Sequence, residues 1–168
     1  MQIEAAMETA FNEQTTREFA SAYIYTAMAG WLHGEGFPGA GSWMEAQAAE
    51  ERDHAMRLFR FVLDRGGRVD LGPIAAPPAT YDSILDVFEK ALEHERAISA
   101  AINELYALAM EYADYASVPL LDWFVNEQVE EEATVSQIVD DLRRAATHPQ
   151  ALLLLDRELG ARSPAATG

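Results

Sequence analysis

The chain has no cysteine, and its 168 residues carry only 12 lysines and arginines against 28 aspartates and glutamates. The first absence excludes disulfides, thiolate metal sites and iron–sulfur clusters. The second leaves a formal net charge of −16, a field that repels nucleic acid and anionic membranes and attracts cations. No run of about 18 apolar residues exists, so no membrane-spanning helix is expected. The first residues, "MQIEAAMETAFNEQ", lack a basic segment followed by an apolar one, so no secretory leader is expected. These absences predict a cytoplasmic protein with neither nucleic acid nor membrane as partner. Strand-like alternation is also nearly absent. What remains is helical spacing along almost the whole length, with 49% apolar residues to build a core.

Glycine and proline divide the pattern into segments. Helix A is expected from about Ile3 to His33, ending in "HGEGFPGAG". Helix B is expected after Ser42, its N-cap, and ends near Gly66 and Gly67. A proline-containing connection, "RVDLGPIAAPPATY", follows. Helix C opens near Asp82 and Ser83 and runs to about Tyr112, and helix D runs from Pro119 to Ala145. A short fifth helix begins at Pro149, in "PQALLLLDREL". Helix B, at about 24 residues, is roughly 36 Å long. The B–C connection, at about 15 residues, can extend roughly 50 Å, enough to return the chain to the start of the bundle. The expected fold is therefore all-α: a four-helix bundle with one long B–C crossover and a short fifth helix. Residues 1–160 are expected to form one domain, and 161–168 a disordered tail.

In "AAEERDHAMRLF", Glu51 and His54 fall on the apolar stripe formed by Met44, Ala48, Ala55, Leu58 and Val62. Helix A has Glu18 between Phe11 and Tyr25. Helix C has Glu95 between Leu92 and Ile98. Helix D has Gln128 and Glu131 between Phe124 and Val135. Each stripe is interrupted near mid-helix. A buried, unpartnered carboxylate costs several kcal/mol or a large pKa shift, and these stripes offer no lysine or arginine. Four glutamates supply four negative charges, which two divalent cations neutralise. Oxygen ligands with one imidazole suit iron or manganese. Inward glutamates with a Glu-x-x-His pair are a described arrangement of di-iron bundles.

Taken singly, each residue has a plainer reading. A lone Glu-x-x-His is more often a solvated face. Glu18 alone could be an exposed acid, Glu95 could be out of phase with Glu93 or His94 inward instead, and Gln128 could be a polar plug. For Tyr25, a core aromatic with its hydroxyl bonded and a redox residue are both open. The coincidence across four helices favours the metal reading.

The segments "NEQTTREFASAYIYTAMA", "AAEERDHAMRLF", "EHERAISAAINELYALA" and "WFVNEQVEEEA" resemble the four helices of bacterial non-haem ferritins, from about Met7 to Arg157. The resemblance implies iron storage and detoxification in a cage of 24 copies. It also implies a ferroxidase centre that oxidises Fe(II) with dioxygen or peroxide inside each bundle. Carried over, Glu18, Glu51 and His54 hold a first iron, and Glu51 bridges to a second held by Glu95 and Glu131. Gln128 stands beside the pair, near where oxygen binds. A third iron position is implied at Glu50, Glu127 and Glu130, while Glu132 lies outside both sets. Bacterioferritins differ in carrying a second Glu-x-x-His on the last long helix, where this chain has Gln128-Val129-Glu130-Glu131. They also place a haem-binding methionine after the bridging glutamate. Arg52 stands there, so no haem is expected. The apolar Ala151 to Leu155 should be covered by neighbouring copies. The competing readings are a di-iron oxidase of an organic substrate and a non-catalytic cation-binding shell.

Overall fold

The computed structural model describes residues 2–161. Five helices account for most of them: α1 (Ala5–Gly34), α2 (Pro38–Asp64), α3 (Ile84–Glu111), α4 (Val118–Ala145) and α5 (Pro149–Gly160). Among the described residues there is no strand. The fold is the expected bundle, with the long connection between α2 and α3. Apart from Ala161, the expected disordered tail lies outside the described residues.

The helix ends follow from local chemistry. Gly36 (φ +83°) and Gly66 (φ +70°) close α1 and α2 in the left-handed region, which a residue without Cβ enters at little cost. The Gly67 N–H then donates to Val62 O at 2.9 Å. Ser83 caps α3, its Oγ accepting from the Asp86 N–H at 3.1 Å. The start of α2 departs from expectation. It begins at Pro38, ahead of Ser42, and Ser42 is not its cap. The cap comes instead from α5: the buried Asp156 accepts from the Ala40 N–H at 2.9 Å. Proline at the first turn has no N–H to satisfy. Gly39 permits the approach, since a Cβ there would fall 1.7 Å from Asp156 O.

The crossover is bonded along its first stretch to side chains of α1. The Arg68 N–H donates to Glu8 Oε2 at 3.1 Å, Asp70 N–H to Asn12 Oδ1 at 3.1 Å and Gly72 N–H to Thr16 Oγ1 at 3.0 Å. Asn12 Nδ2 also donates to Arg68 O at 2.8 Å. The spacing is commensurate. Four helical residues rise about 6 Å, and two extended residues span about 6.6 Å. Every fourth residue of α1 therefore meets every second residue of the connection.

The bundle interior is two apolar clusters rather than one. The first joins Tyr25, Met28 and Leu32 of α1 to Met44 of α2, Phe88 and Leu92 of α3, and Val135 and Leu142 of α4. The second joins Met7 and Phe11 to Leu58 and Val62, Ile98 to Leu105, and Leu121 and Phe124. The N-terminal halves of α2 and α3 share the first cluster and their C-terminal halves the second, so these helices run parallel. The opposite halves of α1 and α4 join them, so those two run antiparallel to α2 and α3. Between the clusters each of α1 to α4 contributes buried polar residues: Gln14 and Glu18, Gln47, Glu51 and His54, Glu95, and Gln128 and Glu131.

Candidate metal centre

This polar belt holds Glu18, Glu51, His54, Glu95, Gln128 and Glu131 of the residues singled out by sequence, while Tyr25 borders it from the first apolar cluster. Glu18, Glu51 and Glu95 are 1–2% exposed, and His54, Gln128 and Glu131 are 6–8% exposed. Glu95 is thus the inward residue of its turn, whereas Glu93 is exposed and His94 half-buried. One ligand atom each from Glu18, Glu51 and His54 lies within 4.8 Å of the other two. A second such group joins His54 to Glu127 and Glu131. His54 Nδ1 lies 3.7 Å from Glu51 Oε2.

Fixed donors hold the carboxylates. Gln14 Nε2 donates to Glu18 Oε1 at 2.7 Å, and Gln47 Nε2 to Glu51 Oε1 at 3.2 Å and Glu131 Oε2 at 2.8 Å. The Tyr25 hydroxyl donates to Glu95 Oε1, and Gln128 Nε2 reaches Glu95 Oε2 at 3.2 Å. Glu18 Oε2 is buried with no donor from the described residues. A buried carboxylate oxygen without a partner is costly, and a cation would satisfy it.

The electrostatics run the same way. Burial, and then the Glu51 charge, raise the Glu18 carboxyl well above its usual range. Burial and the Glu95 and Glu131 charges do the same to Glu51. Glu131 is pushed up to about 7 by burial and by Glu95. Burial and the neighbouring Glu95 and Glu51 charges raise the Tyr25 phenol. Each shift reports a region that disfavours added negative charge and favours a cation.

Of the residues assigned to a third iron, Glu127 is half-buried and faces His54 and Glu131. Glu50 is half-buried, its charge acting on Glu131. Glu130 is exposed. The structure brings Glu127 toward the centre and leaves Glu130 on the surface. Arg52, the residue on which the expectation of no haem rests, is exposed.

Sequence reasoning missed Gln14, Gln47, Ser99 and Trp123. The two glutamines had a signal: each lies four residues before an inward glutamate, on the same helix face. Ser99 lies four residues after Glu95 and accepts from Gln128 Nε2 at 3.3 Å. Trp123 packs edge-on against His54 (ring centroids 5.3 Å apart), with the Arg57 guanidinium 3.8 Å above its ring. Nothing in its spacing distinguished Trp123 from an ordinary flanking aromatic.

Comparison with known proteins places the chain among proteins of the same fold. A family model described as the ferritin-like domain matches residues 8–145. A bacterial non-heme ferritin of Campylobacter jejuni is 37% identical over 146 residues, 87% of each chain. That of Staphylococcus epidermidis is 38% identical over 154 residues, 92% of this chain and 93% of its own. A novel open pore ferritin from the hyperthermophilic archaeon Archaeoglobus fulgidus superposes with a TM-score of 0.94 at 43% identity, covering 96% of this chain and 98% of that one. Among the described residues no helix is long and apolar enough to cross a membrane.

Proposed function

Because the chain belongs to the ferritin-like domain family, we propose that it is a ferroxidase that stores iron as a mineral inside a cytoplasmic cage of its own copies, 24 in number. The observation that carries this reading is the buried Glu18, Glu51 and His54 group, with its ligand atoms within 4.8 Å and Glu18 Oε2 lacking a donor among the described residues.

Iron is here the substrate. Glu18, Glu51 and His54 would take one Fe(II), and Glu95 and Glu131 a second, with Glu51 shared. Four carboxylates offset the charge of two Fe(II) and stabilise Fe(III) more strongly, which favours electron loss. The balanced reaction is two Fe(II), one dioxygen and two protons giving two Fe(III) and one hydrogen peroxide. With peroxide as oxidant, two Fe(II), one peroxide and two protons give two Fe(III) and two waters. Gln14, Gln47 and Tyr25 hold the carboxylates in place before iron arrives, which lowers the reorganisation required. The oxygen-only second position is expected to bind iron more weakly than the first and to release it onward. Glu127, facing His54 and Glu131, is suited to receive it, with Glu50 and Glu130 further out. The exposed Leu153 and Leu154 of α5, 52% and 58% accessible, suit burial against neighbouring copies.

The test is anaerobic Fe(II) titration of metal-free protein, followed by oxygen admission in a stopped-flow absorbance experiment, with Glu95→Ala alongside. A fast phase saturating near two irons per chain and lost in the variant is expected. Oxidation no faster than in buffer, unchanged by the substitution, would leave only a cation-binding helical shell.

A further inference from the structure

Glu132, the last acid of "VEEEA", falls outside the proposed iron positions. It sits at the surface end of a hydrogen-bonded chain that runs between α3 and α4 to the centre. Its side chain is 35% exposed, 3.9 Å from the Arg96 guanidinium, and it accepts the Ser99 hydroxyl proton. Ser99 Oγ lies 3.3 Å from Gln128 Nε2, which also lies 3.2 Å from Glu95 Oε2 and 3.3 Å from Glu95 O.

We propose that Ser99 and Glu132 are positioning residues that fix the amide of Gln128 in one orientation and, through it, hold Glu95 toward the metal centre. The inference rests on the ferroxidase reading and adds to it. The direction of the chain follows from donor counting. A carboxylate only accepts, so the single Ser99 proton is committed to Glu132. The Ser99 oxygen is then left to accept. Three acceptors, namely Ser99 Oγ, Glu95 Oε2 and Glu95 O, converge on the NH2 end of the Gln128 amide and share its two protons. The Glu95 oxygens already select that end, and Ser99, kept an acceptor by the surface acid, anchors it from the α3 side away from the centre. Without Glu132 the Ser99 proton is free to turn toward the amide and displace its NH2, and without the hydroxyl the anchor is lost. Either way the amide, and Glu95 with it, is held less firmly. The Tyr25 hydroxyl holds the other Glu95 oxygen from α1, so Glu95 is clamped from both sides, and the clamp on the α4 side is only as firm as the anchoring of the Gln128 amide.

The experiment is Co(II) titration of the metal-free, full-length protein, read by visible absorbance, with iron oxidation measured in parallel. The variants are Ser99→Ala, Ser99→Thr, Glu132→Leu and the Ser99→Ala/Glu132→Leu double. Loss of a group that orients a ligand typically weakens metal binding by about tenfold or more. We expect that loss for the more weakly bound ion in Ser99→Ala and Glu132→Leu, with the tighter ion unchanged. The double variant should be no weaker than the worse single one, because both act through one amide. Ser99→Thr, which keeps the hydroxyl, should behave as wild type. Wild-type binding in both single variants, or additive losses in the double, overturns the inference. Should Ser99→Ala fail to fold, Glu132→Leu at its half-exposed position and Ser99→Thr still decide. If the wild type itself binds fewer than two Co(II) and oxidises Fe(II) no faster than buffer, the ferroxidase reading falls as well. Two bound ions and fast oxidation with unaffected single variants sink the inference alone.

Discussion

At the scale of the residue, the centre is arranged against the stability of the metal-free protein. Glu131 holds its proton in the folded chain up to about pH 7, whereas an unfolded glutamate releases it near 4.5. Below the lower value both states are protonated and there is no penalty. Between the two the folded state binds more protons, so stability falls as pH rises. Above about 7 the penalty is complete, on the order of 3 kcal/mol from this residue, and Glu18 and Glu51 act in the same direction. The thermal midpoint of EDTA-treated protein should therefore drop between pH 5 and pH 8. Glu131→Gln should flatten the drop, and should also reduce the gain in midpoint that Co(II) gives the wild type. A midpoint that climbs through this window would contradict the assignment of the belt as strained carboxylates. The inward phase of Glu18, Glu51, His54, Glu95, Gln128 and Glu131 was legible because each interrupts an apolar stripe at helical spacing. Their supporting amides were harder to see. Gln14 and Gln47 look like ordinary polar residues until the partner carboxylate one turn along is known to face inward.

At the scale of the element, the contact between α5 and the start of α2 is the tightest approach at any described glycine. A Cβ at Gly39 would lie 1.7 Å from Asp156 O and one at Gly160 would lie 2.9 Å from Gly39 Cα. Asp156 accepts from the Ala40 N–H in the same contact. Gly39→Ala should push α5 outward and cost about 1–3 kcal/mol, the usual penalty of overpacking. Hydrogen exchange should localise the loss to residues 149–160 and the first turn of α2. Protection equal to wild type would mean that the contact yields without consequence. This contact also explains where the sequence misled. Helix existence, order and the long crossover followed from periodicity and from connection length. The start of α2 did not, because its cap lies 116 positions away and no local window contains it. Ser42, the best local candidate, is simply an exposed residue within the second turn.

At the scale of the molecule, charge is the dominant feature. A formal charge of −16 on 168 residues creates a field that draws divalent cations toward every copy and is screened over about 8 Å at physiological ionic strength. Initial Fe(II) oxidation at limiting iron should therefore slow as sodium chloride is raised from 20 to 500 mM (roughly the range over which the screening length shrinks to a few Å). The saturating rate should change far less, since the buried centre is shielded from mobile ions. Equal sensitivity of both rates would place the salt effect at the centre itself rather than in cation capture.

The bonding of the crossover to α1 has one more consequence. Glu8, Asn12 and Thr16 meet the backbone of Arg68, Asp70 and Gly72 at alternate positions, so the connection behaves as a ruler laid along a toothed edge. Inserting one residue between Arg68 and Gly72 would turn the wrong edge of the ruler toward the teeth downstream of the insertion. Inserting two would advance it by one tooth and restore the match. Length variation in this segment should thus be tolerated in even steps and resisted in odd ones, a parity rule imposed on a stretch that has no secondary structure of its own.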